Sequence, residues 1–278
     1  MIVITGATGN VGRTLVRLVA SSGQAVTAVS RGIQPADVPA GVRAVAADLA
    51  DPASLRPALD GADTLFLLVA GEDPEGIVAE AKAAGVRRIV LLSSQGAGTR
   101  PGAYAHAVAF ENAVTGSGLD WTLLRSGGLA SNAYAWVQPI KTARVAPAPF
   151  GDVGLPFIDP DDVAATAAAV LISTGPAADV HKGQTYVLTG PAITTPRQRA
   201  EAIAEALGEP VEFVEQTRDE AYAQMTQFMP APVAEGTLAI LGAPTEEEQQ
   251  ISPDVESILG RPGTPFAEWA HRNAPAFR

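Results

Sequence analysis

Hydrophobic positions along the chain follow two alternating rhythms. Ile2, Val3 and Ile4 form a β-branched run suited to a buried strand. After a glycine-rich turn, Val11, Leu15, Leu18 and Val19 recur at helical spacing. The same change of rhythm repeats down the first half, with strands expected over 24–29, 43–47, 64–69, 88–92 and 121–124. The run TLFLLV at 64–69 is continuously apolar, as a parallel strand covered on both faces must be. Asp51 before Pro52 and Asp73 before Pro74 mark helix starts, because an N-cap carboxylate followed by proline suits the first turn. Pro57 should shorten or bend the first of these helices. A further helix is predicted over 104–115, closing near Gly116.

Six strand-then-helix alternations predict an α/β fold, a Rossmann-type doubly wound parallel sheet, over residues 1–131. From Asn132 the pattern changes. Pro139, Pro147, Pro149 and Pro156 interrupt a loop-rich stretch, and Asp159, Pro160, Asp161 and Asp162 then cap an alanine-rich helix running through Val170. Strands are expected at 184–189 and 211–214, with a helix opening at Thr195 and Pro196 and ending near Gly208. Residues 132–278 therefore read as a small C-terminal α+β substrate lobe that caps the sheet's ligand edge. The segments 158–170 and 184–189 are expected to pack back on the sheet.

The first turn carries the candidate chemistry. Gly6 permits a tight turn, Gly9 lets backbone approach a ligand, and Gly12 lets helix and strand pack closely. Unpaired amides at the helix start, with Thr8, Asn10 and Val11 on the turn, suit a diphosphate. In such sheets the ligand lies beyond the carboxyl ends of the strands. That edge gathers Arg31, Asp48, Leu49, Val69, Ala70, Ser93 and Gly127 around a dinucleotide. Arg31 follows the second strand, where an acidic residue would read the 2′-hydroxyl of NAD and an arginine accommodates the 2′-phosphate of NADP. With Ser30 beside it, NADP (as NADPH) is favoured over NAD. Asp48 has two readings, an acceptor for the adenine amino group or a plain loop carboxylate.

Composition narrows the classes. The 278 residues carry a net charge of −11, which argues against nucleic acid or an anionic membrane as partner. No apolar run is long enough to cross a bilayer, and no basic leader precedes the first strand, so a cytoplasmic location is expected. Absence of cysteine removes disulfides, thiolate metal sites and a cysteine nucleophile. The Asp159, Asp161 and Asp162 cluster is explained by helix capping, so no metal is expected.

The motifs GATGNVG at 6–12, Ser30-Arg31, LLSS at 91–94, SGLDWTLLR at 117–125, FIDPDDVA at 157–164, TYVLTGP at 185–191 and TPFAEWA at 264–270 resemble the NmrA-like branch of the atypical short-chain dehydrogenases. The resemblance spans nearly the whole chain. It implies a Rossmann domain with a small substrate lobe, like NADPH-dependent quinone oxidoreductases and the reductases that tailor aromatic polyketides. The wider family uses a Tyr and a Lys four residues later. Here Tyr104 is followed at that distance by Val108, and the only lysines are Lys82, Lys141 and Lys182. The lysine is what prepares the tyrosine to exchange a proton with an alkoxide, so Tyr–Lys alcohol oxidation is not expected.

Hydride transfer needs no such pair when the acceptor is a quinone, whose developing charge is delocalised. Ser94 and Gln95 are candidate hydrogen-bond donors, with loop capping as their plainer role. Tyr104 is a candidate donor to substrate, and His106 a candidate proton source or simply a surface histidine. Tyr134, Trp136, Phe157, Met225 and Phe228 can form an apolar slot for a flat ring or ordinary core. The expectation is an NADPH-dependent reductase of a quinone or polycyclic aromatic ketone in secondary metabolism, working as a monomer or homodimer. The alternative is an NmrA-type regulator that binds NADP without turnover. A sugar-nucleotide epimerase is disfavoured, because those enzymes keep the Tyr–Lys pair.

Overall fold

Side-chain alternation along the first strand decides what each face of the sheet buries. In the computed structural model, which describes residues 1–278, β1 (Ile2–Thr5) sends Ile2 and Ile4 to one face and Val3 to the other. Ile2 and Ile4 meet Leu15, Val16 and Val19 of the helix Gly12–Ser21, together with Val163, Ala164 and Ala167 of the helix Pro160–Ile172. Val3 meets Leu65, Ile89, Ile77 and Phe110, the last two from the helices Pro74–Ala83 and Ala105–Thr115. Both faces are therefore dry, which is why the central strands read as unbroken apolar runs.

The remaining strands are β2 (Val26–Ser30), β3 (Arg43–Ala46), β4 (Thr64–Leu68), β5 (Arg88–Ser94), β6 (Asp120–Ser126), β7 (Val145–Ala148), β8 (Gln184–Leu188) and β9 (Glu212–Glu215). Seven of them form one sheet in the order β3-β2-β1-β4-β5-β6-β8, every neighbouring pair parallel. This is the Rossmann-type fold expected. The order in which successive strands are added reverses between β1 and β4, and a crevice at such a switch point is where α/β sheets hold ligands. The helix Pro160–Ile172 packs beside the helix Gly12–Ser21, and β8 pairs with β6. Arg88, buried at the start of β5, donates to the Val170 carbonyl at 2.5 Å and fixes that helix in place.

Pro57 acts as expected, and the segment splits into a 3-10 turn at Pro52–Leu55 and a single helical turn at Arg56–Leu59. β5 runs two residues beyond its expected end, so Ser93 and Ser94 belong to the strand. β7 falls where prolines suggest a loop. It pairs only with β9 in a two-stranded parallel sheet, where a proline's missing N–H leaves no ladder bond broken on its outer side. A third core lies in the lobe, built by Trp136, Ile140, Ile203, Leu207, Phe266, Trp269 and Phe277. No helix is long and apolar enough to cross a membrane.

Candidate active site

The turn after β1 is shaped by two glycines. Gly6 sits at φ +64°, and a Cβ there would lie 1.9 Å from Leu68 Cδ2. A Cβ on Gly12 would lie 2.0 Å from the Gly6 carbonyl oxygen, so only hydrogen fits between turn and helix. Val11 occupies the N-cap of the helix Gly12–Ser21 without capping it, and no acidic residue stands in the first turn. The Arg13 amide turns back to the Gly9 carbonyl at 3.2 Å, while the amides of Asn10, Val11 and Gly12 donate to no backbone acceptor and are left for an anion, which the helix dipole also favours. Gly9 and Asn10 are exposed on the turn, and Asn10 donates to Ser131 Oγ at 3.2 Å, joining the turn to the lobe. Thr8 donates to Ser30 Oγ at 3.1 Å, tying the turn to the end of β2. Next to Ser30, Arg31 is exposed and makes no ion pair.

This donor set fits a pyridine dinucleotide: open amides for the diphosphate and a free guanidinium at the end of the second strand for a 2′-phosphate. Asp48 is exposed and accepts from the Ala50 amide at 3.0 Å, so it caps its own turn. Leu49 is buried, and Val69 and Ala70 are half-buried at the end of β4. Ser93 points the other way. Strand alternation turns it toward the helix Ala105–Thr115, where its buried hydroxyl donates to Glu111 Oε1 at 2.6 Å. Arg125 of β6 completes that cluster, donating to Glu111 through Nε at 3.0 Å and Nη2 at 2.7 Å. Arg125 thus clamps β6 to a helix.

Beside the carboxyl ends of β5 and β6 opens a cavity of about 560 Å³. Ser94, Gln95 and Gly127 form its sheet-side wall, and Tyr104 enters from the start of the next helix. Ser94 Oγ accepts from the Gly96 amide at 3.2 Å, capping the short helix Gln95–Thr99. Gln95 Nε2 donates to the Glu247 carbonyl at 3.3 Å. The Tyr104 hydroxyl lies 3.5 Å from Thr237 Oγ1. Lys82 donates to the Ser117 carbonyl and Lys182 pairs with Asp120 and Asp179, so neither serves Tyr104, and Lys141 lies exposed on another helix.

Trp136, Phe157, Met225 and Phe228 share the cavity's apolar wall, with the Trp136 indole donating to the Pro147 carbonyl at 2.8 Å. Two candidates are placed elsewhere. His106 is exposed outside the cavity, its ring edge-on to Phe110 with centroids 5.1 Å apart. Tyr134 faces the lobe's own core, stacking on Phe277 and donating to Asn273 Oδ1 at 2.6 Å. Burial pushes its phenol above the ordinary value. The acidic cluster is accounted for by protein partners: Asp159 caps the helix and pairs with Arg272, while Asp162 accepts from Arg261 and the Thr264 amide.

Several lining residues escape a reading of the sequence alone. Arg199, Gln216, Gln224, Met229, Thr237 and Glu248 all face the cavity, and so does Asn132. Arg199 had a signal. On the helix Pro196–Leu207 it shares a buried stripe with Ala200, Ile203 and Leu207, and a charge on an apolar stripe demands a reason.

The NAD(P)H-binding family matches residues 6–174. The chain is 35% identical over 285 residues to the (4-alkanoyl-5-oxo-2,5-dihydrofuran-3-yl)methyl phosphate reductase of Streptomyces griseus, covering 100% of this chain and 99% of that protein. It is 30% identical over 288 residues to the NAD(P)H azoreductase of Xenophilus azovorans, covering 100% and 99%. The structure superposes on an NADPH-dependent quinone oxidoreductase from Escherichia coli complexed with NADPH, with TM-score 0.80, 28% identity and coverage of 98% and 99%. The leading glycine turn, the free Arg31 and the sheet-edge cavity agree with these matches. The chain belongs to the NAD(P)H-binding family and is an NAD(P)H-dependent oxidoreductase, with Val108 rather than lysine four residues after Tyr104.

Proposed function

We propose that this protein reduces a quinone or polycyclic aromatic ketone in the cavity beside β5 and β6. The observation that carries the reading is the cavity's construction: a polar sheet-side wall at Ser94 and Gln95 faces aromatic and thioether side chains across a space sized for a small ring system. When bound, the nicotinamide supplies one hydride, which with one proton from solvent converts a quinone to its hydroquinone. The protein's part is to hold the acceptor flat, exclude bulk water and place hydrogen bonds where the carbonyl oxygen gains charge.

Ser94, Gln95 and Tyr104 are the groups positioned for those bonds. None needs to lose a proton permanently, because charge on a reduced quinone is spread over the ring. The apolar wall from Trp136, Phe157, Met225 and Phe228 supplies stacking area without fixing one shape, as methionine's flexibility allows. The test mixes protein, NADPH and a panel of benzo-, naphtho- and anthraquinones and follows loss of reduced-nicotinamide absorbance. Turnover that falls in Tyr104→Phe and Gln95→Ala supports the reading. Tight NADPH binding without oxidation by any quinone refutes it in favour of a redox sensor.

A further inference from the structure

Arg199 is 6% exposed, yet it lines the cavity. Its guanidinium lies 3.8 Å over the Phe157 ring, and Nη1 donates to the Thr194 carbonyl at 3.0 Å. Nε and Nη2 donate to no protein acceptor, and no carboxylate pairs with the side chain. Every other charge around the cavity is answered. The only acidic side chain on its wall, Glu248, is 1% exposed and held by Arg100 through two bonds of 2.7 and 2.8 Å.

A buried cation without a counter-ion is costly, and burial brings the Arg199 guanidinium down to about 9. Stacking on an aromatic face recovers part of that cost and fixes the plane of the fork. With Nη1 committed to Thr194, Nε and Nη2 are left without a protein acceptor on a side chain that lines the cavity, in a chain whose net charge is −11. An edge of that kind matches two oxygens of one anion.

We propose that the substrate carries an anionic substituent of the phosphate-monoester or carboxylate type, and that Arg199 binds it. The inference rests on the cavity being the substrate site and adds a substrate class to that reading. The ring would lie toward Ser94 and Gln95 while the charged arm reaches the helix Pro196–Leu207. Gln216 and Gln224, also on the wall, are placed on the lobe side with amide groups that can share the anion's remaining oxygens.

The test measures binding rather than turnover, so it stands apart from the quinone assay. NADP-saturated protein, whose nucleotide phosphate sites are filled, is titrated calorimetrically with 1-naphthyl phosphate, 1-naphthoate and neutral 1-naphthol. At pH 7 at least one anion is expected to bind about ten- to a hundredfold tighter than the naphthol, the range of a charge-assisted pair in a partly dry site. The two anion arms decide between phosphate and carboxylate. Arg199→Met should bring the anions to parity with the naphthol. If that variant does not fold, Arg199→Lys serves, and loss of most of the preference is expected with the fork gone. Equal binding of anion and naphthol by wild type, no binding of either anion, or a preference that survives substitution of Arg199 overturns the inference. Quinone reduction with no anion preference sinks this inference alone. An anion preference without any quinone turnover sinks the reductase reading alone.

Discussion

Replacing Glu111 with leucine strips the acceptor from three donors at once. Glu111 takes Ser93 Oγ at 2.6 Å, Arg125 Nε at 3.0 Å and Arg125 Nη2 at 2.7 Å. Its side chain is 7% exposed, and that of Arg125 27%. Breaking a buried pair by removing one partner costs about 3–5 kcal/mol. Arg125 keeps some access to water, so Glu111→Leu belongs at the lower end, about 3 kcal/mol. Arg125→Met leaves the better-buried carboxylate with only Ser93, and belongs nearer about 4 kcal/mol. The double variant Glu111→Leu/Arg125→Met exchanges both charges for apolar groups, so it should cost at least about 2 kcal/mol less than the two singles together. The orphaned Ser93 hydroxyl, about 1 kcal/mol, is common to both leucine variants and cancels in the cycle. Equilibrium urea unfolding followed by tryptophan fluorescence reads all four proteins. Single variants that each cost less than about 1 kcal/mol, or costs that simply add, would refute the assignment of this pair as a clamp between β5, β6 and the helix Ala105–Thr115.

Arg31→Ala should weaken NADPH binding by about tenfold or more while leaving NADH nearly unchanged, as titration of nicotinamide fluorescence would show; equal losses would remove Arg31 from the 2′-phosphate site. Glu248 offers a pH prediction. Burial raises its carboxyl, but hydrogen bonds from Arg100 and the Thr245 amide outweigh that and hold it below the ordinary 4.5. A depressed carboxylate contributes its full stability above its unfolded value and loses it as pH falls through the folded one. Glu248→Gln should therefore flatten the loss of unfolding free energy below pH 4.5, and an unchanged acid limb would contradict the pairing. His106→Ala should leave the pH–rate profile unmoved, because the ring sits outside the cavity; loss of a limb near neutral pH would bring it into the reaction.

The strand–turn–helix at the start was legible because each glycine there answers a local steric demand, at Gly6 from Leu68 and at Gly12 from the Gly6 carbonyl. The parallel sheet was legible from strand composition alone. Side-chain direction was harder. Tyr104 and His106 stand two positions apart near a helix start, and neighbours at that spacing cannot share a face. Tyr134 and Trp136 are likewise two apart in the 3-10 segment Ala130–Trp136, so one enters the cavity and the other joins Phe277. Ser93 and Ser94 split for the corresponding reason on a strand. Where each face points depends on the element's exact first residue, which pattern reading fixes least well. Arg199 showed only as a charge on an apolar stripe and Glu248 not at all, because each reaches the cavity from more than a hundred residues along the chain from Ser94.

Because β8 closes the sheet beside β6 only after the chain has wandered through the lobe, the molecule cannot be cut where its composition shifts. A fragment ending at residue 131 would lack the helix Pro160–Ile172, baring Leu15, Val16 and Val19 to water, and would leave β6 with a raw hydrogen-bonding rim. Such a piece is expected to stick to itself before it meets any nucleotide. Engineers wishing to graft a new specificity should accordingly exchange the stretch between residues 190 and 250, whose ends lie after the last strand of the large sheet.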